Sequence, residues 1–378
     1  MRVLLATNSR DRGSTSRTLE SWVRLFPARG VEPTVTIGGD GPLLSALRAS
    51  GVDVHVHPIR VFFESSRPLP FLREMARLVW RIRSKRIQLV HVNEHEHYPV
   101  VARAAYLARV PIVVHLRFRP DEAMCRWLFR SPFTPRRLFF TSQTQMNDSA
   151  DAVAAVVPRD RWRLVYNGLD LEVFGADVSA RNRLRTEWSV GPQTVAIGTA
   201  SSISPRKRLD HFVHLVATLA REGIDARGFI AGQPYFPEDE EELQRLKQLT
   251  ATLGVDARVT FLGYVEPSEP LYHAWDVCVS TSAYETFGMT MLEAMACGCP
   301  VVAYPGGSVA EVVGEGGDVV ADGDQAALVS AVRALAVNAS HRQRAAERAR
   351  ARAARFDVRE SVRLLVGEYD AVVAGRPA

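Results

Sequence analysis

The stretch that decides the fold is Asp276–Tyr304, D-V-C-V-S-T-S-A-Y-E-T-F-G-M-T-M-L-E-A-M-A-C-G-C-P-V-V-A-Y. It begins with a short apolar run the size of a buried strand, and a polar turn follows over Ser280–Glu285. Phe287–Cys297 predicts a helix closed by a glycine and a proline, and Val301–Ala303 is a second apolar strand. The stretch therefore predicts a strand–helix–strand unit of a parallel sheet.

Two carboxylates stand out in this unit. Glu285 lies in the turn after the first strand, and Glu293 lies in an apolar helix, where an unpartnered Glu is costly. Eight residues of helix rise about 12 Å, close to the span from the ribose to the sugar of a sugar nucleotide. Between the two acids, the N–H groups of Phe287, Gly288 and Met289 at the helix start offer a seat for a diphosphate. The structural alternative is that Glu285 caps the helix and Glu293 pairs with a neighbouring Arg.

Length and composition bound the class of protein. A chain of 378 residues with 47% hydrophobic and 24% charged residues fits two globular domains. Its four cysteines show no paired C-x-x-C spacing, which favours reduced thiols in a cytosolic compartment. The N-terminal M-R-V-L-L-A-T-N-S predicts a first strand rather than a signal peptide, and no run approaches the roughly 20 apolar residues of a membrane span. The net charge of +5 fits anionic ligands of any kind.

The first half alternates short apolar strands with helices. Strands are predicted at Val3–Ala6, Val35–Ile37 and Val52–Val56, with helices near residues 16–29 and 43–50, which is the doubly wound pattern. The G-x-G-x-x-G fingerprint of dinucleotide-binding dehydrogenases does not follow the first strand.

E-T-F-G-M-T-M-L-E-A-M-A-C-G-C-P-V-V-A resembles the E-x7-E signature of the retaining, family 4 glycosyltransferases. Three further segments resemble motifs of that family: Trp162–Asp170 is similar to V-x-N-G-[IL]-D, Thr199–Asp210 to G-R-L-S-P-x-K-G-x-D, and Val259–Val265 to V-x-F-x-G-x-V. The resemblance implies the α/β GT-B fold, with two Rossmann-like, doubly wound domains facing across a cleft. It predicts an acceptor-binding domain over residues 1–172, completed by a crossing helix near 357–378, and a donor-binding domain over residues 173–356.

The resemblance also implies roles in the second domain. Glu293 would hold the ribose diol and Glu285 the hydroxyls of the sugar, while the amides of Phe287–Met289 and the ammonium of Lys207 would hold the diphosphate. Val265 would contact the nucleobase.

One position departs from the family pattern. Ser202 stands where the family has an Arg that clamps the donor diphosphate, and Arg208 stands where it has a Gly. Either Arg206 or Arg208 supplies the missing charge, or the leaving group is stabilised less strongly in this protein.

Two residues of the first half are carried over from the family. His115 follows the predicted strand Ile112–Val114 and coincides with the V-x-H whose His contacts the transferred sugar; the alternative is a structural histidine. Gly13 takes the place of the Gly-containing loop near the donor phosphates and the acceptor. Residues 8–17, 60–70 and 93–98 are expected to decide the acceptor.

Two segments raise the question of a metal. Asn93–His97 alternates His and Glu, but a polar loop lining the acceptor cleft is the preferred interpretation. Asp322-Gly323-Asp324 has the form of a D-x-D motif, yet a turn followed by a helix N-cap explains it better. We therefore expect a metal-independent enzyme without a cofactor.

Phe71–Arg86 predicts a basic amphipathic helix, with arginines at four-residue spacing on one face. Such a helix is either the solvated face of a packed helix, which is the preferred interpretation, or a helix lying on an anionic membrane. The expected location is therefore cytoplasmic, with peripheral contact at the inner membrane face as the open alternative.

The function implied by the resemblance is sugar transfer with retention at the anomeric carbon. The donor would be a UDP-, GDP- or dTDP-sugar, and the acceptor a hydroxyl or amine of a small molecule, a glycan or a lipid-linked compound. No carboxylate nucleophile is evident, which favours front-face displacement. The alternatives are a nucleotide-sugar epimerase of the same fold and a non-catalytic nucleotide-sugar binder. Nucleic-acid binding would rest on basicity alone and is not expected.

Overall fold

The computed structural model describes residues 1–58, 68–175 and 177–375. Within these ranges the strands are β1 (Arg2–Thr7), β2 (Glu32–Ile37), β3 (Asp53–Val56), β4 (Leu89–Val92), β5 (Ile112–Leu116), β6 (Arg137–Phe140), β7 (Trp162–Leu164), β8 (Val195–Ala200), β9 (Ala226–Ala231), β10 (Val259–Gly263), β11 (Val277–Ser280), β12 (Val301–Ala303) and β13 (Asp318–Val319). The helices are α1 (Ser14–Leu25), α2 (Pro42–Ala49), α3 (Pro68–Ser84), α4 (Tyr98–Ala108), α5 (Glu122–Leu128), α6 (Gln143–Asp148), α7 (Ala150–Ala154), α8 (Val178–Glu187), α9 (Leu209–Arg221), α10 (Pro237–Thr252), α11 (Glu269–Ala274), α12 (Met289–Ala296), α13 (Val309–Val313), α14 (Gln325–Val337), α15 (Ala339–Ala353) and α16 (Val358–Val373).

The strands form two parallel sheets, one in each half of the chain. The first has the order β3-β2-β1-β4-β5-β6-β7 and the second the order β10-β9-β8-β11-β12-β13. In both sheets the strand order reverses once, between β1 and β4 and between β8 and β11, and ligands bind outside the carboxyl ends of strands at such switch points. The predicted α/β class with two Rossmann-like domains is confirmed.

The chain divides into two units. Unit 1 comprises Met1–Gly168 and the segment from Val358, and unit 2 comprises Leu169–Asp357. The sequence placed the boundaries at 172/173 and 356/357. The segment that begins at Val358 packs closely on unit 1 at Gly168, where an added Cβ would lie 2.2 Å from the Cα of Val358.

The C-terminal helix completes the core of unit 1. Its apolar face packs with α1 and with one face of the sheet, and the buried side chains of this cluster include Trp22, Phe26, Phe139, Val362, Leu365 and Tyr369. Helices α3 and α4 cover the other face of the same sheet. The sheet is therefore covered on both faces, as its continuous apolar strands require.

Several helix limits differ from the sequence prediction. The helix expected over Phe287–Cys297 is α12, which begins at Met289 after Gly288. The helix expected near residues 16–29 is α1, followed by a separate 3₁₀ turn over Pro27–Arg29. None of the helices in the described ranges is long and apolar enough to cross a membrane.

Candidate functional site

The switch point of unit 2 brings Lys207 and Glu285 together. Lys207 ends a 3₁₀ turn after β8, and Glu285 lies in the loop after β11, so parallel strands deliver both to the same edge of the sheet. The Lys207 Nζ lies 2.5 Å from the Glu285 Oε1, and both side chains are largely buried. A paired ammonium at this point can also meet an anionic ligand, because Lys has three N–H donors.

Three hydrogen bonds join the loops that carry this ion pair. The Thr281 hydroxyl donates to the carbonyl of Lys207 (2.8 Å), the Ala283 N–H to the carbonyl of Arg206 (2.9 Å), and the Arg206 Nη1 to the carbonyl of Tyr284 (2.9 Å). The guanidinium of Arg206 is thus held beside the Glu285 loop.

The other candidate cation at this turn has a different partner. Arg208 pairs with Asp322 at 2.7 Å, so Arg206 is the arginine that contacts the loop of the candidate site. Ser202, at the position of the family Arg, is half-buried and its carbonyl accepts a hydrogen bond from the Ser201 hydroxyl.

A third loop, after β12, fixes Glu285 from the other side. The Glu285 N–H donates to the carbonyl of Gly306 (3.2 Å), and its own carbonyl accepts from the Ser308 N–H (2.8 Å). Gly307 has a φ of +64°, and a Cβ there would lie 2.3 Å from the Glu285 carbonyl oxygen, so only glycine fits this close approach. The Glu285 backbone is therefore well fixed before any ligand binds.

Next to this ion pair, α12 begins. Gly288 is its N-cap residue, with a φ of +94°, and the nearest atom to an added Cβ would be the end of the flexible Met291 side chain at 2.5 Å. Because the first N–H groups of a helix have no acceptor within it, the start of α12 offers donors to an anion. Phe287 and Met289, predicted to share this seat, are both largely buried.

Glu293 differs from its prediction in two respects. Its carboxylate has no exposed surface and accepts hydrogen bonds from the Tyr272 hydroxyl (2.8 Å) and the Ser268 hydroxyl (3.5 Å), so a bond to a ribose requires this side chain to move. The separation of about 12 Å between Glu285 and Glu293 was predicted from eight residues of continuous helix. In the structure α12 begins at Met289 and Glu285 lies in the preceding loop, so that helical rise does not apply to the pair.

Val265 lies in the loop after β10, two residues beyond the end of the strand at Gly263. It is half-buried, and the same loop continues to Ser268, which donates to Glu293. Val265, predicted to contact the nucleobase, and Glu293, predicted to contact the ribose, are therefore linked through the loop after β10.

The switch point of unit 1 is centred on Glu94. This carboxylate, 8% exposed, accepts hydrogen bonds from the hydroxyl of Thr7, the last residue of β1 (3.0 Å), and from the Asn8 N–H (3.0 Å) and the Ser9 hydroxyl in the loop that follows. The His97 Nε2 lies 3.4 Å from it. Burial acts to raise the pKa of Glu94, but the nearby His97 and the hydrogen bonds from Ser9 and Asn8 outweigh it and lower the pKa to about 2. Glu94 is therefore ionised and joins the ends of β1 and β4.

Buried polar atoms near Glu94 lack partners. The Asn93 Nδ2, the His95 Nε2 and the His97 Nδ1 are buried and have no hydrogen-bond partner in the described part of the chain. Because orphaned buried polar atoms are rare, they indicate a site for water or for polar groups of a ligand.

Sequence reasoning missed Arg117, the first residue after β5. Its guanidinium donates to the Asn93 carbonyl (3.0 Å), to the Asn93 Oδ1 (2.7 Å) and to the Asn167 Oδ1 (2.5 Å), which links the ends of β4, β5 and β7. Burial lowers the pKa of Arg117 to about 10, so it remains a cation at neutral pH. The signal was present: an Arg directly after a buried strand at the sheet's carboxyl edge.

The expected substrate contact of His115 does not fit the structure. His115 is the fourth residue of the five-residue β5, not its end, and has no exposed surface. Its Nδ1 lies 2.8 Å from the Nε2 of His91, which in turn bonds to Tyr369, and its ring packs against Trp22 and Phe139. Because side chains alternate along a strand, His115 shares the face of Val113 and belongs to the core beneath α1 and α16.

Gly13 is the N-cap residue of α1. Its φ of −65° is open to any residue, and an added Cβ would meet nothing within 4 Å. The protein itself therefore does not require a glycine here. Of the segments expected to decide the acceptor, 8–17 and 93–98 adjoin the Glu94 site, while residues 60–67 of the third, 60–70, lie outside the described residues.

No group of His, Cys, Asp or Glu side chains in the described ranges is arranged to hold a metal ion. The Asp324 side chain caps α14 by accepting from the Ala327 N–H at 2.9 Å, as the sequence predicted, and Asp322 pairs with Arg208. All four cysteines are buried free thiols.

Two family models match this chain. The model described as "Glycosyl transferases group 1" matches residues 182–352, and the model described as "Glycosyl transferase 4-like domain" matches residues 13–173. The two matches together support membership of the group 1 glycosyltransferases. The first matched range includes both Lys207 and Glu285, and the second includes the Glu94 site.

Solved structures and curated proteins are also similar to this chain. The structure is similar to that of HepE from Anabaena in complex with UDP and glucose, with a TM-score of 0.86 and 24% identity over 98% of this chain and all of the other. A GDP-mannose-dependent phosphatidylinositol monomannoside mannosyltransferase of Mycolicibacterium smegmatis is 34% identical over 177 residues, which are 44% of each chain. A D-inositol 3-phosphate glycosyltransferase of Stackebrandtia nassauensis is 32% identical over 227 residues, 57% of this chain and 50% of the other. The matched region spans about half the length of these curated relatives or less.

Proposed function

We propose that the protein is a retaining glycosyltransferase that moves a sugar from a nucleoside diphosphate sugar to a hydroxyl or amine of its acceptor. The observation that carries the proposal is the Lys207–Glu285 pair at the switch point of unit 2, beside the start of α12. A nucleoside diphosphate sugar carries a diphosphate next to a polyhydroxylated sugar. The cation and the free helix N–H groups suit the diphosphate, and the neighbouring carboxylate suits the sugar hydroxyls.

In the proposed donor complex, the diphosphate lies at the start of α12 and contacts Lys207. The guanidinium of Arg206 then stands in for the family Arg at Ser202, since it is already bound beside the Glu285 loop while Arg208 is paired with Asp322. Glu285 accepts hydrogen bonds from the hydroxyls of the transferred sugar. The Glu293 carboxylate gives up its hydrogen bond from Tyr272 and accepts hydrogen bonds from the ribose diol instead. Val265 contacts the base.

Transfer proceeds by front-face displacement. The bond between the anomeric carbon and the phosphate oxygen breaks, and the acceptor oxygen or nitrogen bonds to the same face of that carbon. The departing phosphate oxygen takes the acceptor proton, while Lys207 and the α12 amides neutralise the charge that develops on the leaving group. The chain's own cations fill this role, which is the basis for proposing a metal-independent reaction without a cofactor.

The acceptor binds to unit 1 in this proposal. Asn93, His95 and His97 offer unpartnered polar atoms, and Arg117 orders the loops around them. These groups replace His115, which the core encloses. They suit an acceptor rich in hydroxyl or anionic oxygen atoms, such as a glycan, a small polyol or the headgroup of a lipid-linked compound.

A panel of UDP-, GDP- and dTDP-sugars tests the proposal. Preferential binding of one donor raises the melting temperature, and release of the nucleoside diphosphate in EDTA shows turnover without a divalent metal. NMR of the product shows whether the anomeric configuration is retained. An altered sugar nucleotide formed without acceptor would instead indicate an epimerase, and binding without any turnover would indicate a binding protein.

A further inference from the structure

Helix α3 has a second apolar face that the fold does not use. One side of the helix packs on the sheet through Met75, Leu78 and Ile82, which are buried. On the other side, Leu69, Leu72 and Trp80 are 76%, 56% and 67% exposed. A tryptophan exposed to this degree is unusual in a soluble protein and marks a surface that contacts something else.

Arginines lie among these exposed apolar side chains. Arg73, Arg77 and Arg83 are exposed, and the sequence of α3 contains one acidic residue, Glu74. Positions 69, 72, 73, 76, 77, 80 and 83 follow one another at three- and four-residue spacing, so they share one side of the helix. The free face is therefore both apolar and cationic along its whole length of roughly 25 Å.

The end of α4 extends this surface. Tyr106 and Leu107 are 56% and 53% exposed, and Arg109 next to them is exposed too. The Arg83 Nη2 donates to the Leu107 carbonyl at 2.7 Å, which joins the two helix ends. Two elements thus contribute exposed aromatic, aliphatic and basic groups to one surface, here called the α3–α4 face.

Basicity alone does not produce such a surface on α15, another arginine-rich helix of the described chain. Helix α15 is as rich in arginine, but its sequence A-S-H-R-Q-R-A-A-E-R-A-R-A-R-A contains no large apolar residue. The α3–α4 face differs by interleaving Trp, Tyr and Leu with the cations. That combination suits the boundary of an anionic bilayer, where the aromatic and aliphatic groups enter the acyl region and the guanidinium groups meet lipid phosphates.

We propose that the α3–α4 face binds the surface of an anionic membrane. Trp80, Leu69 and Leu72 supply the apolar contact. Arg73 and Arg77 supply the attraction to the lipid headgroups. The proposal does not depend on the proposed glycosyl transfer, because binding to vesicles requires neither donor nor acceptor.

Co-sedimentation of the full-length chain with lipid vesicles tests the proposal. Vesicles of phosphatidylcholine with about one third phosphatidylglycerol are compared with vesicles of phosphatidylcholine alone. We expect binding to the anionic vesicles only, and binding that weakens as salt is added. Two double variants probe the face: Arg73→Glu with Arg77→Glu for the charge, and Leu72→Ala with Trp80→Ala for the apolar contact.

Each double variant is expected to lower the partition coefficient onto anionic vesicles at least about tenfold. For the charge reversal this follows because each arginine near such a surface raises that coefficient about fivefold. Arg183→Glu with Arg344→Glu is the matched control, because it changes the net charge equally on exposed residues of unit 2. Circular dichroism and the melting temperature verify that each variant is folded.

Equal binding by the control and the wild type, with loss in both α3 variants, supports the proposal. It is overturned if the wild type binds neither vesicle, which would leave the face to a protein partner. It is also overturned if the α3 charge reversal reduces binding no more than the control does, or if zwitterionic vesicles bind as well as anionic ones.

Discussion

The Lys207 ammonium and the Glu285 carboxylate, 78 positions apart in the chain, lie 2.5 Å from each other at the switch point of the second sheet. Each side chain is one-sixth exposed or less, so the pair is formed away from bulk water. Screening is weak there, and an anionic ligand that reaches Lys207 meets a cation whose position is already fixed.

Replacing Lys207 with Ala should lower kcat by about 100-fold or more, because charge on the departing phosphate is then neutralised less well. Release of the nucleoside diphosphate at saturating donor measures the effect. Lys247→Ala, an exposed lysine of α10, is the control for loss of a positive charge. A Lys207→Ala enzyme with the kcat of that control would remove the residue from the mechanism.

The Lys207→Ala and Glu285→Ala variants should not be additive. Each single change leaves the other charged group largely buried and unpaired, so the double variant should be less impaired than the sum of the two predicts. A double-mutant cycle on kcat/KM for the donor measures this coupling. Strict additivity would show that the two side chains act independently.

Glu293→Gln and Tyr272→Phe separate ligand binding from structural support. Both changes weaken the Tyr272–Glu293 hydrogen bond, but only Glu293→Gln removes the carboxylate that is proposed to hold the ribose. The donor KM should therefore rise about tenfold or more in Glu293→Gln and change little in Tyr272→Phe. Calorimetric titration of the donor gives the two affinities. Equal loss in both variants would assign Glu293 a purely structural role.

Gly13→Ala tests whether a ligand approaches the start of α1. The backbone at Gly13 accepts any residue and an added Cβ meets no protein atom within 4 Å, so the melting temperature should stay within about a degree. If a substrate group lies against this residue, KM for donor or acceptor should nevertheless rise several-fold. Unchanged kinetics for both substrates would separate Gly13 from the site.

His115→Leu should reduce stability and leave the donor KM unaltered. The change leaves the His91 Nε2 buried without its partner, which costs about 1–3 kcal/mol of the free energy of unfolding. Urea unfolding measures this cost. A large fall in kcat without a change in stability would restore the role in sugar contact that the family resemblance implies.

Glu94→Gln should alter the acid sensitivity of unit 1. The folded pKa of Glu94 is about 2, below its ordinary value of 4.5, so its contribution to stability is present above pH 4.5 and is lost as the pH falls towards 2. The variant should lose about 3 kcal/mol at pH 7 and show a flatter decline of the free energy of unfolding over that range. Urea titrations at several pH values give the decline of the free energy of unfolding with pH for the wild type and for the variant. Equal slopes in the two proteins would contradict the lowered pKa of Glu94.

Local patterns were sufficient for much of the molecule. Short apolar strands that alternate with helices predicted the doubly wound sheet of the first half, and Asp276–Tyr304 predicted the unit of β11, α12 and β12. The second domain as a whole and the site residue after β8 were implied by the family resemblance. Asp324 was predicted as a helix N-cap from its neighbours alone, and it caps α14. These features depend on residues close in the chain, where spacing and side-chain chemistry decide the outcome.

Other features were decided by contacts between distant residues. His115 was predicted to follow β5 and to contact the sugar, but the strand continues to Leu116 and the packing of α1 and α16 encloses the histidine. Arg117, the first residue after the strand, lies at the edge of the sheet instead. Glu293 was predicted at a ligand surface, whereas Tyr272 and Ser268 of another element cover it. Neither outcome follows from the neighbouring sequence.

The sequence by itself determined the order of strands and helices, the parallel sheets and the edge at which the loops gather, because hydrophobic periodicity and turn residues act locally. Only the tertiary structure decided which polar side chains at that edge are buried, paired or without a partner. Those outcomes depend on groups that approach in space from separate segments, as Lys207 approaches Glu285 and as Arg117 approaches Asn167.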